Sequence, residues 1–447
     1  MFKSPSKSIK RHEVTDDVVK ERLENFQPEP LAPNTLSEEA EMVLKDIVVI
    51  ESAPSSTNVS VKGKSVINFA SADFLDFGSS EAVRDATERA LNKYGVGSCG
   101  PRGFYGTIDA HVKLEEALGK FFNKTEAIIY SDGASTTCSA IPAFANRSDL
   151  LLVDSGCNDN VFTGVRLSRA KVVLFKHNDM ADLELKLKQV AHEDERLNRK
   201  PTSQRRFIIF EGLYRNSGDI APLPQIYQLK MKYKWRLIAD ESLSFGVLGK
   251  NGKGITEFFS ETGDYDDAIE ILIASLETTL ASVGGFCVGS PEVVEHQRLN
   301  GAGYCFSASA PPFTATAAQA ALELLNKPDD GGEKLNQLLN KSKFFHSLFQ
   351  EDPHFKILSS PESPVVHLKL KKVFDSHLNE IKALREICNG LLEEDSILVI
   401  PTYYPSGGPQ PTHETQNTLR LYLHVNHTFE DLKRTGEKLK EKVTLIG

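Results

Sequence analysis

From Val66 onward the chain alternates short apolar runs, rich in β-branched residues, with amphipathic stretches of helical length. Alternation of this kind is typical of an α/β fold with a mostly parallel sheet. The predicted strands are Ala127–Tyr130, Leu150–Val153, Val172–Phe175, Phe207–Phe210, Leu237–Ala239, Ile271–Ala274 and Gly285–Val288. The helices predicted among them include Glu81–Leu91, Val112–Phe122, Asp182–Gln189 and Leu223–Tyr233. We therefore expect an α/β architecture for most of the chain.

The length of 447 residues exceeds what one compact core usually holds, so we expect a large domain and a smaller one. Residues 1–60 have a basic start (Lys3, Lys7, Lys10, Arg11) and several prolines, which predicts an N-terminal arm. Residues 61–310 are assigned to the large domain. Residues 311–447 are predicted to form a smaller α+β domain, with strands Val365–Leu370 and Leu419–Val425 and a last helix from Thr428.

Composition excludes several classes of function. The net charge of −9 does not suit a nucleic-acid-binding protein, because phosphate contacts need clustered Lys and Arg. The six cysteines include no CxxC pair, so we expect neither a zinc site nor a disulfide scaffold. No apolar run approaches the roughly 20 residues that span a bilayer, so we expect no transmembrane helix in these residues.

Three segments could carry chemistry, although each also has an ordinary structural explanation. Tyr94–Thr107 contains five glycines, which fits either an irregular loop or a close approach to another surface. Ser131–Thr136 follows a strand and begins a helix, where free N–H groups could meet a phosphate or simply be capped. Asp240 and Glu241 end a buried strand, which is where ligands bind in open α/β sheets, but either could be a surface acid.

Taken in order along the chain, the motifs resemble the α-oxoamine synthases. These are pyridoxal-phosphate (PLP) enzymes of fold type I that condense an amino acid with an acyl-CoA and release CO₂. The resemblance covers residues 60–447 and therefore implies that fold. It rests on Asn68–Ser71, the glycine-rich segment with Asp109–His111, Asp132–Ala134, Phe175–Met180, Glu211–Gly212, Gly218–Leu223, Asp240–Ser242, Phe245–Gly249, Gly284–Phe286 and Tyr304–Ser307.

The resemblance also implies roles for single residues. Asp240 stands where the family's aspartate bonds the pyridine nitrogen of the cofactor. Gly133 and Ala134 lie in the segment that meets the phosphate, and Arg420 stands where an arginine binds the substrate carboxylate. The chain departs from the family at Asn158, where an imidazole would stack on the ring, so we expect a degenerate cofactor site there. A second family histidine is replaced by Leu243.

The strongest departure is at the Schiff-base lysine, because Thr278 occupies that position. No lysine occurs between Lys253 and Lys327, and a threonine hydroxyl cannot form an imine. The chain therefore resembles the lysine-lacking subunit of the family's heteromeric enzyme, which joins L-serine to palmitoyl-CoA and forms 3-ketosphinganine, CoA and CO₂. This implies a heterodimer in which a lysine-bearing second subunit holds PLP covalently. Alone, this chain is expected to be inactive.

In the enzymes that this chain resembles, the glycine-rich segment approaches the partner's cofactor. The residues that we expect at this shared site are Cys99, Gly100, Arg102, Phe104, Tyr105, Ser307 and Ser309. The same resemblance implies the endoplasmic reticulum membrane, with the active site on its cytosolic face. Phe26–Leu31 resembles the segment that follows the subunit's membrane helix, so membrane contact is expected through an upstream segment or through partners.

Three other functions remain as alternatives. A homodimeric α-oxoamine synthase of another pathway is disfavoured by Thr278. A purely regulatory or scaffolding pseudoenzyme would not need its own residues for turnover by the partner. A dehydrogenase is the weakest alternative, since no dinucleotide-binding motif stands between a strand and a helix.

Overall fold

The computed structural model describes residues 15–32, 36, 38–45, 47–124, 126–200, 203–402 and 417–446. The chain divides into a short unit, Met1–Ile47, and a large unit, Val48–Gly447. The short unit contains helices α1 (Asp16–Glu24) and α2 (Glu38–Lys45). The basic residues at the start of the predicted arm lie outside the described residues.

The large unit contains the remaining strands and helices. Its strands are β1 Ile50–Ser52, β2 Asn58–Val61, β3 Lys64–Asn68, β4 Glu126–Tyr130, β5 Leu150–Asp154, β6 Lys171–Phe175, β7 Arg206–Glu211, β8 Arg236–Asp240, β9 Ile271–Ser275, β10 Gly285–Gly289, β11 Phe355–Ile357, β12 Val365–Leu370, β13 Ile397–Leu398, β14 Ile400–Thr402 and β15 Thr418–Tyr422. Its helices are α3 Glu81–Tyr94, α4 Asp109–Phe121, α5 Gly133–Phe144, α6 Asp159–Ser168, α7 Met180–Leu197, α8 Leu223–Tyr233, α9 Ile255–Phe258, α10 Pro291–Asn300, α11 Ala302–Phe306, α12 Pro312–Leu325, α13 Glu333–Ser347, α14 His377–Asp395 and α15 Phe429–Leu445.

A seven-stranded sheet with the order β4-β10-β9-β8-β7-β5-β6 forms the centre of the large unit. Strands β9, β8, β7, β5 and β6 pair in parallel, and β10 is antiparallel to both of its neighbours. The five residues of β5 and those of β9 are all buried, as expected for strands covered on both faces. The mostly parallel sheet predicted from the sequence is therefore confirmed, and each of its seven strands was predicted.

Two four-stranded sheets complete the strand pairing. One has the order β1-β2-β3-β13, so residues from the last part of the predicted arm join the main unit. The other has the order β11-β12-β15-β14 and includes both strands predicted near the C-terminus. The division into domains at residue 310 stays a prediction. No helix among the described residues is long and apolar enough to cross a membrane.

Candidate functional site

The residues predicted to carry chemistry lie near one edge of the central sheet. Asp154, Glu211, Asp240 and Ser275 are the last residues of β5, β7, β8 and β9, four neighbouring parallel strands. The carboxyl ends of such strands form the edge at which α/β proteins bind ligands. Helix α5 begins after β4 at Gly133, whose backbone N–H meets the Glu277 side chain just beyond β9.

Asp240 is buried and is held by groups from three elements. Its Oδ2 lies 3.3 Å from the side-chain amide Nδ2 of Asn158 and 3.4 Å from the hydroxyl of Thr137. Its Oδ1 accepts the backbone N–H of Ser242 at 2.9 Å. The structure therefore joins Asn158 and Asp240 in a direct hydrogen bond, whereas their predicted roles toward a cofactor stay predictions.

Glu211 is a buried acid beside Asp240, and the two residues are paired across β7 and β8. Burial raises the pKa of Glu211 to about 8, and the charge of Asp240 adds to this effect. The carboxyl of Glu211 accepts the backbone N–H of Asn158 at 2.6 Å and that of Arg215 at 3.1 Å. A protonated Glu211 therefore holds the loops that follow β5 and β7.

The predicted phosphate-binding helix start already has two carboxylates. Asp132 caps α5 by accepting the N–H of Ser135 at 2.7 Å, and Glu277 accepts the N–H of Gly133 at 3.2 Å. A Cβ on Gly133 would lie 2.6 Å from the Ser275 hydroxyl, so only glycine fits at this approach. Ala134 is exposed on the same turn.

The side chain of Thr278, at the expected lysine position, is hydrogen-bonded to the backbone. Its hydroxyl donates to the carbonyl of Ser242 at 2.7 Å, and the hydroxyl of Thr279 donates to the carbonyl of Phe245 at 2.8 Å. Leu243 is buried in the hydrophobic core. These residues connect β8 to the segment that follows β9.

The site formed by Asn158, Glu211, Asp240, Thr278 and the start of α5 is called the pocket below. Arg215 and Glu277, two further residues beside it, were not singled out as site residues from the sequence. Burial lowers the pKa of Arg215, but neighbouring ionisable groups raise it above its usual value overall. Those neighbours are Tyr422, Glu211, Asp240 and Glu277. Their positions in the sequence could have identified both residues. Arg215 lies four residues beyond β7, and Glu277 directly precedes Thr278.

A partly buried imidazole joins two acids next to the pocket. His177 Nδ1 lies 2.8 Å from Asp154 Oδ1, and its Nε2 lies 2.9 Å from Asp219 Oδ2. Burial by itself would lower the pKa of His177, but the hydrogen bonds and charges of the two acids raise it to about 10. The resulting cation fixes the turn after β5, which leads into Asn158 at the start of α6.

The glycine-rich loop, residues 95–107, is tied to the segment 307–310. Ser309 is buried, and both its N–H and its hydroxyl donate to the carbonyl of Gly100 at 2.9 Å. The hydroxyl also bonds the carbonyl of Gly106. A Cβ on Gly106 would lie 1.8 Å from the oxygen of Gly100, so the loop closes on itself only with glycine there.

Arg102 lies inside this loop and pairs within the chain. Its two terminal nitrogens each donate to one carboxylate oxygen of Glu115 at 2.8 Å, and its Nε donates to the hydroxyl of Thr107 at 3.1 Å. The side chains of Arg102 and Glu115 are 5% and 9% exposed. The guanidinium therefore positions the loop from within, and a contact with a shared site stays a prediction.

The outer side of the loop is apolar and exposed. Cys99, Phe104 and Tyr105 point to solvent, as does Phe306 beside the segment to which the loop is tied. Ser307 lies 3.1 Å from the hydroxyl of Ser131, just before the start of α5. Thus these predicted residues lie on a surface that continues toward the pocket.

Arg420 lies on β15, paired with His367 of β12. Its guanidinium lies over the ring of Tyr422 at 5.0 Å, and its Nε is buried with no hydrogen-bond partner among the described residues. Burial lowers the pKa of His367 to about 3, and the Arg420 charge adds to this effect. Its predicted role in binding a substrate carboxylate remains untested.

Comparison with known proteins gives one consistent result. The model of the family "Aminotransferase class I and II" matches residues 64–439. The chain is 39% identical to long chain base biosynthesis protein 1b of Oryza sativa subsp. japonica, over 98% of this chain and 86% of that protein. It is 37% identical to serine palmitoyltransferase 1 of Dictyostelium discoideum, over 100% of this chain and 91% of the relative.

Among solved structures, that of serine palmitoyltransferase with its PLP internal aldimine has a TM-score of 0.78 and 24% identity. It covers 92% of this chain and 96% of its own. The expected PLP-dependent fold type I is therefore confirmed, and PLP is the cofactor associated with it. The residues of this chain's own pocket do not fit covalent PLP, because Thr278 offers no amine and Glu277 lies on the helix start.

Proposed function

We propose that this chain is the lysine-lacking subunit of serine palmitoyltransferase. The chain belongs to the aminotransferase class I and II family and to its serine palmitoyltransferase 1 branch, and the proposal proceeds from that membership. The complete enzyme would join L-serine to palmitoyl-CoA and release 3-ketosphinganine, CoA and CO₂. This is the first step of sphingolipid biosynthesis. A lysine-bearing second subunit would hold PLP in the heterodimer.

The observation that carries the proposal is Thr278. Its hydroxyl is bonded to a backbone carbonyl at the lysine position, in a stretch of sequence without lysine from 254 to 326. A chain of this fold without that amine cannot supply covalent catalysis alone. The similarity over nearly the full length to proteins named serine palmitoyltransferase 1 supports the assignment to that enzyme.

The contribution of this chain would be to shape the shared site. Buried bonds from Ser309 and the Arg102–Glu115 pair hold the glycine-rich loop. The loop thereby presents the exposed rings of Phe104 and Tyr105 as a firm apolar surface. Such a surface suits a partner subunit, because large exposed apolar patches mark interaction sites. In the assembled enzyme it would help to exclude water from the partner's cofactor.

The test is reconstitution of the purified full chain with a lysine-bearing subunit. We expect CoA release from L-serine and palmitoyl-CoA only when both chains are present. Phe104→Ala with Tyr105→Ala should weaken association and turnover together, because both rings are removed from the contact. Val373→Ala, which trims another exposed apolar side chain, is the matched control and should change neither.

The alternatives give different results. A homodimeric enzyme would show turnover and imine absorbance with this chain alone. A purely regulatory scaffold would also associate through the loop. In that case Arg102→Met or Cys99→Trp, where the variant still associates, would leave turnover and amino-acid selectivity unchanged. Either result would reject the proposed shared site.

The location that we propose is the cytosolic face of the endoplasmic reticulum membrane, where a substrate with a long acyl chain is accessible. This rests on the resemblance alone. Fractionation of cells that express the tagged chain, with and without its partner, tests it. Recovery of the assembled enzyme away from endoplasmic reticulum membranes would contradict the proposed location.

A further inference from the structure

We propose that Glu277 is a built-in substitute for the cofactor's phosphate, so that this chain's own pocket binds neither PLP nor free phosphate. The carboxylate takes the N–H group that a phosphate would need. Its function is then to keep the vacated pocket folded and closed to anions. This role would hold whatever substrate the partner subunit uses, because it depends only on the pocket.

The contact is a direct one at the first residue of a twelve-residue helix. Glu277 Oε1 accepts the N–H of Gly133 at 3.2 Å, and a Cβ placed on Gly133 would lie 3.2 Å from the Glu277 carboxyl carbon. The partial positive charge at a helix N-terminus stabilises an anion, whether it is a ligand or a side chain. Asp132 takes the N–H of Ser135 on the same turn. Two carboxylates thus lie where a dianionic phosphate would bind.

The interior of the pocket is also satisfied without a cofactor. Asp240, the expected partner of a pyridinium N–H, already has the Asn158 amide and the Thr137 hydroxyl as donors. Arg215 lies close enough to Asp240 and Glu277 for their charges to raise the pKa of its guanidinium. Positive charge is therefore supplied by this chain itself. A bound pyridinium would have to displace donors that are already in place.

Each end of the pocket disfavours binding of the cofactor for a different reason. At the helix start an incoming phosphate meets like charge and an occupied N–H group. At Asp240 an incoming pyridinium meets an acceptor that already has two hydrogen-bond donors. Loss of the lysine alone would leave a pocket able to bind the cofactor weakly and without a covalent bond. The Glu277 contact removes that residual binding.

The experiment measures binding by the purified full chain of inorganic phosphate and of pyridoxamine 5′-phosphate. The latter has no aldehyde and cannot form imines with surface lysines. Glu277→Gln keeps the size and removes the charge, whereas Glu277→Thr also clears the helix start. We expect both variants to bind pyridoxamine phosphate at least about tenfold more tightly than the wild type. Glu261→Gln, the same charge change on another exposed residue that does not contact the start of α5, should leave binding unchanged.

Thermal unfolding and circular dichroism establish that each variant is folded. If Glu277→Thr does not fold, the isosteric Glu277→Gln variant decides. Equal affinity of the wild type and the folded Glu277 variants would overturn the proposal, and so would an equal gain in Glu261→Gln. Tight binding by the wild type itself would also overturn it. None of these readouts depends on turnover, so a failure here is distinct from a failure of the proposed function.

Discussion

Removal of the Arg102 guanidinium should show how much of the glycine-rich loop depends on one buried ion pair. The perturbation is Arg102→Met, which keeps most of the side-chain volume and deletes both 2.8 Å bonds to Glu115. Glu115 is 9% exposed and would remain as a buried acid. Its Oε1 would retain only the N–H of Ile129 at 3.0 Å.

The magnitude follows from this burial. Loss of one partner of a buried ion pair costs about 3–5 kcal/mol, because the remaining charge has no compensation. The retained backbone bond to Glu115 places our expectation at the lower end, about 3 kcal/mol of the free energy of unfolding. Adding Glu115→Gln should recover most of the loss, since the amide oxygen can keep the Ile129 bond without a buried charge.

Chemical denaturation of Arg102→Met, Glu115→Gln and the double variant measures these differences, with Arg89→Met as the control for loss of an exposed arginine. Affinity for the lysine-bearing subunit should fall in Arg102→Met, because the loop that carries Phe104 and Tyr105 loses its inner support. A loss below about 0.5 kcal/mol, with no coupling between the two sites, would refute this reasoning.

Three further predictions concern the same region. Cys99→Trp should fold normally, because this thiol is exposed, and should impair or broaden amino-acid use in the assembled enzyme; loss of soluble protein would contradict this. Thr278→Lys should give no serine condensation without the partner, since Glu277 still lies on the helix start; substantial turnover would reject a silent subunit. The His177 imidazolium should stabilise the fold fully below about pH 6.5, and this contribution should disappear as the pH rises to about 10. The difference in unfolding free energy between wild type and His177→Gln should therefore shrink by up to about 1.4 kcal/mol per pH unit across that range, and a constant difference would contradict it.

The sequence was sufficient for the sheet and for its functional edge. Alternating apolar segments located β5 and β9 because a strand covered on both faces must be apolar throughout. Asp240 could be placed at the ligand-binding edge for the same reason, since it ends a buried strand. The antiparallel direction of β10 was not predicted, because strand direction is not encoded in a local pattern of apolar residues.

The contacts made across the pocket could not be read from the sequence. Arg102 was expected at the shared site, but its direction depends on Glu115, thirteen residues away on another element. The contact between Glu277 and Gly133 joins residues 144 positions apart. The contact between Glu277 and Gly133 arises only when the sheet brings the ends of β4 and β9 together. The amino-acid types were visible, whereas their partners were set by tertiary structure.

The contact between Glu277 and the start of α5 also has an evolutionary consequence. A single reversion of Thr278 to lysine would restore an amine while the phosphate position stayed blocked and the Asn158 and Leu243 substitutions remained. A single reversion of Glu277 would open a pocket without an amine. Under the proposed function, neither step alone would restore catalysis, so selection would have no intermediate to favour. Under the proposed function, this arrangement would keep the chain dependent on its lysine-bearing partner.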